Sequence, residues 1–321
     1  MLERNARNLP RAAIFSGRRF SEPALGIAAA PSFTIAPTDA VYGVGSCFAR
    51  AVAYIMAHRG QQVTFGGLYH RYNAFNILQT VQWALHGGFG PEHLIELDNG
   101  RWFDAHGREE ADFSYASREE GLAEFGKALE DVARAVRGCQ VMVLTFGLVE
   151  VWRDTLTNTW LNLMPPKKHL PEFDSRFVVH KTRQHENAAA IGEIFRLVRA
   201  ANPSIKFICS VSPIPLKATF CFHDVFVATS YGKATLRSAL QEAIDDAHAE
   251  GMKHVDYFPS FEIVSFQRNN DVYKPVDKMG KPDCLHIRED FLDKTVKRVF
   301  SEAYLPEVAA TAKAAPARLA G

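Results

Sequence analysis

The chain is short of net charge: 37 basic side chains face 36 acidic ones, a formal balance of +1. No global field recruits a polyanion, which argues against DNA, RNA or an anionic membrane as partner. The five cysteines, Cys47, Cys139, Cys209, Cys221 and Cys284, are odd in number and lack CxxC or CxxH spacing. That speaks against a disulfide framework or a zinc site and for a reducing compartment. His180 and His185 have no third ligand at zinc-like spacing, so neither a metal nor an organic cofactor is implied. No run approaches the ~20 apolar residues of a membrane span. The amino terminus, with Arg4, Arg7, Arg11, Arg18 and Arg19, lacks the apolar stretch of a signal peptide, and a cytoplasmic location is expected. Gly43 and Gly45 have no third glycine and no Gly-Lys-Ser/Thr follows, which places nucleotide binding last among the functions considered.

What is present is a foldable core. With 47% hydrophobic residues over 321 positions, the chain can bury one large domain. Residues 1–38 carry four prolines and little periodicity and read as an extended arm, 39–305 as the domain, and 306–321 as a disordered tail. Short apolar runs at 40–44, 62–65, 141–145, 205–211 and 254–258 alternate with helical spacing, which predicts one α/β domain with a parallel sheet of about five strands and helices on both faces. Leu94–Leu97 and Arg101–Asp104 around Asn99-Gly100 predict a hairpin within a rim insertion near 88–118. A second insertion, 153–182, has few periodic signals and reads as a functional loop or lid.

Two segments carry chemistry. Val41 to Gly45 runs as a strand into Ser46-Cys47, and Phe48, Val52, Ile55 and Met56 then follow helical spacing. Ser46 therefore stands at the carboxyl end of a strand and the amino end of a helix, where open α/β sheets hold ligands. Asp283-Cys284-Leu285-His286 is the second. An Asp three residues before a His can turn its carboxylate onto one imidazole nitrogen and leave the other free for a serine hydroxyl.

The sequence resembles the GSCFA-domain family, related to the SGNH (GDSL-like) hydrolases. Gly45-Ser46-Cys47-Phe48-Ala49 is the literal signature, and the segments at 71–77, 144–152, 185–187, 211–216, 233–237 and 257–262 look like the family's in order. The resemblance implies a flavodoxin-like three-layer α/β/α sandwich with strand order 2-1-3-4-5, Ser46 as nucleophile, Asp283 as acid and His286 as base. SGNH enzymes also carry a G-x-N-D block after the third strand, whose amides help form the oxyanion hole. Here that block is Gly147-Leu148-Val149-Glu150, without the Asn. The Ser46 amide, Asn73, Asn76 or a Gly66-Gly67 amide is left as the second donor, Asn76 or Asn73 being preferred.

The remaining candidates have structural readings beside the functional ones. Arg71 can bind an anionic substituent or pair with a surface carboxylate. Tyr72, Trp152 and Trp160 can stack on a sugar or pack in the rim. Glu150 can orient the imidazole or cap a helix, and Gly147 and Ser212 sit where they can touch ligand. Cys47 can act as nucleophile in place of Ser46, though adjacent residues of a tight turn cannot both face one base. The reading is a serine-dependent ester hydrolase or O-acyltransferase on an O-acetylated carbohydrate. Its rival is a non-catalytic module that holds a glycan or protein in the same cleft. Oligomeric state is left open.

Overall fold

The computed structural model describes residues 23–45, 47–58, 63–64, 70–107, 114–165, 167, 173–267, 272–276, 280, 283 and 286–305. The first 22 residues, the tail from 306, Ser46, Gly66, Gly67, Cys284 and Leu285 lie outside them. So do the expectations attached to those residues.

In chain order the elements are β1 (Val41–Gly45), α1 (Cys47–His58), β2 (Val63–Thr64), α2 (Ala74–His86), β3 (Leu94–Glu96), β4 (Trp102–Asp104), α3 (Arg118–Gly138), β5 (Val141–Phe146), β6 (Glu150–Asp154), β7 (Thr159–Trp160), α4 (Phe173–Arg176), β8 (Phe177–Lys181), α5 (Gln184–Ala201), β9 (Lys206–Val211), α6 (Val225–Ala249), β10 (Val255–Tyr257), α7 (Ser260–Ser265), α8 (Glu289–Phe291) and α9 (Lys297–Tyr304). A single wide π turn, Leu292–Val296, joins the last two. The fold is α/β. Its main sheet runs β2-β1-β5-β9-β10, and every pairing is parallel.

Side chains alternate along each strand, so this sheet feeds two apolar layers. Tyr42, Val44, Met142, Leu144, Phe146, Phe207, Cys209 and Val211 join the buried faces of α2, α3, α5 and α6. Val41, Val143 and Ile208 face the other way, against α1, α7 and α9. Each fully buried Val, Leu, Ile or Phe contributes about 1.5–3 kcal/mol, so burial on both sides explains why these strands read as unbroken apolar runs. Local signals set the helix starts. Ser117 accepts from the Glu120 amide ahead of α3, and Asp224 accepts from Phe226 and Val227 ahead of α6.

The expected hairpin at 94–104 is present as β3 and β4. The stretch 153–182 departs from its irregular reading: β6 pairs antiparallel with both β7 and β8, a second small sheet. Its strands are short and half-buried, a pattern too brief for periodicity to reveal. This sheet docks on α2, and the arm crosses the opposite end, with the Ile35 amide donating to the Tyr304 carbonyl at 2.9 Å.

Candidate functional site

The carboxyl edge of the main sheet is where the polar segments meet. β1 ends at Gly45, whose φ of +131° and closeness to β5 both require glycine: a Cβ there would lie 2.4 Å from the Thr145 carbonyl oxygen. α1 begins at Cys47, two residues on. Ser46, between them in sequence, is outside the described residues.

Asp283 and His286 form a closed pair. His286 Nδ1 lies 2.9 and 3.0 Å from the two carboxylate oxygens of Asp283, and the His286 amide donates to the same carboxylate at 3.2 Å. A carboxylate only accepts, so Nδ1 carries a proton, and in the neutral ring this makes Nε2 the acceptor. The Asp283 side chain is 6% exposed and the imidazole 59%: the acid is buried behind the ring, and the ring faces outward. The backbone holds this arrangement. The Asp283 amide donates to Pro275 O and the Lys274 amide to His286 O, while Tyr273 bridges Ile287. The Tyr273 hydroxyl donates to Pro213 O at 3.3 Å, which ties the pair to the exit of β9.

The turn after β5 is held from several sides. The amides of Gly147 and Leu148 both donate to the Tyr72 carbonyl, at 2.8 and 2.9 Å. The Gly147 carbonyl accepts from Lys233 Nζ at 3.0 Å. Val149 O accepts from the amide and hydroxyl of Thr182. Ser212 sits beside Gly147, its amide on Phe146 O and its hydroxyl accepting from the Ile214 amide. Gly147, Tyr72 and Ser212 are thus brought together.

The two asparagines are committed elsewhere. Asn73 is fully buried, caps α2 by accepting from the Asn76 amide, and donates to Leu161 O at 3.0 Å. Asn76 donates to Trp160 O at 2.9 Å. In this arrangement both side-chain amides bind the β7 segment, Asn73 through both of its N–H groups and Asn76 through one. Arg71 is not at the surface: it is fully buried, with Nε on Thr80 and Nη1 on Gly107 O. Glu150 caps no helix. It opens β6 and accepts from the Thr219 hydroxyl and the Phe220 amide, holding the loop ahead of α6. Trp152 packs on Phe173 and Phe220, and Trp160 on Phe75 and His180. His180 faces Glu186, and among the described residues no group of three His, Cys, Asp or Glu is placed to hold a metal ion. Among the same residues no helix is long and apolar enough to cross a membrane.

Lys233 was legible only as part of a family-like segment. It lies on the buried stripe of α6 with Leu236 and Leu240, and a lysine at a core position of that period is itself a signal. Burial holds its ammonium down to about 7. A separate cavity of about 810 Å³ runs along β10, lined by the arm, α6 and α7. None of the candidate residues among those described lines it. Its polar lining includes Gln241, His248, Asp256 and Arg237, the last lying 3.9 Å over Tyr257 and paired with Glu262.

No curated protein matches the chain. The GSCFA family model matches residues 40–298, from the start of β1 into α9. That span takes in the first-strand turn, the third-strand turn and the Asp283–His286 pair, and the chain belongs to the GSCFA family.

Proposed function

We propose that the protein is a serine-dependent ester hydrolase or O-acyltransferase of SGNH type, acting through an acyl-enzyme on an O-acetylated carbohydrate. The observation that carries this reading is the Asp283–His286 pair: a buried carboxylate fixes the tautomer of an outward-facing imidazole, the arrangement a general base needs. The strand order, with Gly45 and the third-strand turn at one edge, supports it.

In this reading His286 Nε2 takes the Ser46 hydroxyl proton as Oγ attacks the ester carbonyl carbon. The carbonyl π electrons move to oxygen. As the tetrahedral intermediate collapses, the C–O bond to the leaving alcohol breaks and the imidazolium returns the proton to that oxygen. Water or a sugar hydroxyl then gives its proton to Nε2, attacks the acyl-serine, and releases Ser46 with its proton restored. Asp283 stabilises the transient imidazolium throughout. With the Gly147 and Leu148 amides on Tyr72 O, the candidates left for the oxyanion are the second side-chain N–H of Asn76 and the Ser46 and Gly67 amides, the last two outside the described residues. A cytoplasmic site of action belongs to the same reading.

One observation favours the rival, a module that binds a glycan or protein without chemistry: Asn73, Asn76 and the third-strand amides all serve the fold. An aryl alkylphosphonate separates the two. Adduct mass on the wild type and on Cys47→Ala, with none on Ser46→Ala, is the expected result. No adduct on the wild type selects the binding module, and an adduct that survives Ser46→Ala but is lost in Cys47→Ala selects a thiol enzyme.

A further inference from the structure

Lys233 is 3% exposed, yet among the described residues its ammonium makes one hydrogen bond, to the Gly147 carbonyl. An ammonium has three donors, and among the described residues no carboxylate pairs with this one. Burial alone accounts for its lowered proton affinity. Glu150, three residues past Gly147, is engaged with Thr219 and Phe220, and Lys181 lies over Phe222 and Tyr231. A buried cation without a counter-ion destabilises a fold, and an apolar side chain of its size serves packing better.

The bond it makes is placed to matter. Gly45 pairs with Thr145, so Gly147 lies two residues beyond the point where β5 adjoins the end of β1. The peptide between Gly147 and Leu148 donates forward to Tyr72 O through the Leu148 amide and accepts from Lys233 behind at the Gly147 carbonyl. Lys233 therefore links α6, the third-strand turn and the Tyr72 loop through one peptide plane. Gly232, its neighbour, lets α6 approach Val149, where a Cβ would come within 3.3 Å of that side chain.

Resting on the hydrolase reading above, we propose that Lys233 is a positioning residue: it fixes the Gly147 peptide, and through it the Tyr72 loop, beside the first-strand turn, and it does so to the detriment of fold stability. A group that serves packing and one that serves a site then respond in opposite directions to the same substitution.

The test uses the full chain and an aryl alkylphosphonate as probe, with thermal unfolding measured in parallel. Lys233→Met is expected to raise Tm by about 2 °C or more and to lower the maximal labelling rate at least ~10-fold with the half-saturating concentration unchanged. Lys233→Gln, whose amide is one bond shorter but keeps an N–H donor directed at the Gly147 carbonyl, is expected to retain more labelling than Lys233→Met, within about threefold of wild type. A fall in Tm for Lys233→Met, or its failure to fold, overturns the inference, since the lysine then serves the fold. Wild-type labelling by the Met variant, a shift confined to half-saturation, or a Gln variant as slow as Met overturns it as well. A wild type that does not react at all overturns the hydrolase reading and the inference with it. Wild type that reacts while Lys233→Met matches it overturns the inference alone.

Discussion

Two parts of the sheet's carboxyl edge are built on opposite terms. At Asp283–His286 an exposed ring is held by one acid three positions away, in a segment fastened by a few backbone bonds to residues 272–276. At Gly147, Tyr72 and Asn73 the polar groups are buried, and their partners come from α6, β7 and the loop after β9. Among the described residues, the first arrangement shows no partner for the outward nitrogen of His286 and is fastened through residues 272–276. The second commits donors and acceptors to one another, as buried polar groups must, and contributes rigidity. Damage to the first is expected to appear as lost chemistry, damage to the second as lost stability.

The largest effect should come from Asp283→Asn. The exchange keeps the shape and inverts the tautomer preference, and phosphonate labelling should fall roughly 10³- to 10⁴-fold while Tm stays within about 1 °C. A loss below tenfold would remove Asp283 from the mechanism. Asn73→Ala should do the reverse. It removes the α2 cap and leaves the Leu161 carbonyl buried without its donor, for about 2–4 kcal/mol in denaturant unfolding. Unchanged stability with labelling reduced a hundredfold or more would make Asn73 an oxyanion donor and erase the contrast.

Acid should weaken the buried region selectively. His106 packs against Trp83 and His93, and burial holds its pKa down to about 3. Below the ordinary value near 6.5 the unfolded chain takes a proton that the folded one refuses until about pH 3, so stability falls with pH across that window. Between pH 7 and pH 5 the loss should be about 2 kcal/mol, read from denaturant midpoints. His106→Gln should flatten the slope, and an unaltered slope would assign it to other groups. The smallest effect is expected for Glu150→Gln, about 1 kcal/mol from weaker bonds to Thr219 and Phe220, with labelling unchanged. A labelling loss there would bring the loop ahead of α6 into the site.

What could be read from sequence followed the range of the interactions. Val41–Gly45 and the helix after it announce themselves through an apolar run, a glycine and helical spacing, all within twenty residues. Asp283 and His286 were legible as a pair because a three-residue separation suffices for contact. The roles of Arg71, Asn73 and Asn76 were not, since their partners at Gly107, Leu161 and Trp160 lie 36, 88 and 84 positions away. Nothing local distinguishes a buried Asn that closes such a contact from one that faces ligand. The bonds of Glu150 were hidden for the same reason, its partners lying at 219 and 220. The small sheet of β6, β7 and β8 escaped because its strands span two to five residues, too few for an alternating pattern to stand above chance.

The contact between α2 and β7 has a consequence for anyone who would treat the second insertion as a graft. Asn162 accepts from the Tyr72 amide and donates to His70 O, Leu161 O receives the Asn73 amide, and Trp160 O receives Asn76 and Gln79 while its amide returns to Gln79. Excising or exchanging that segment would strand donors along the first two turns of a core helix and the loop that leads into it. The insertion is thus no detachable module: a chimera that imports a different loop must bring residues matching those of α2, or forfeit the helix start on which the Tyr72 loop depends.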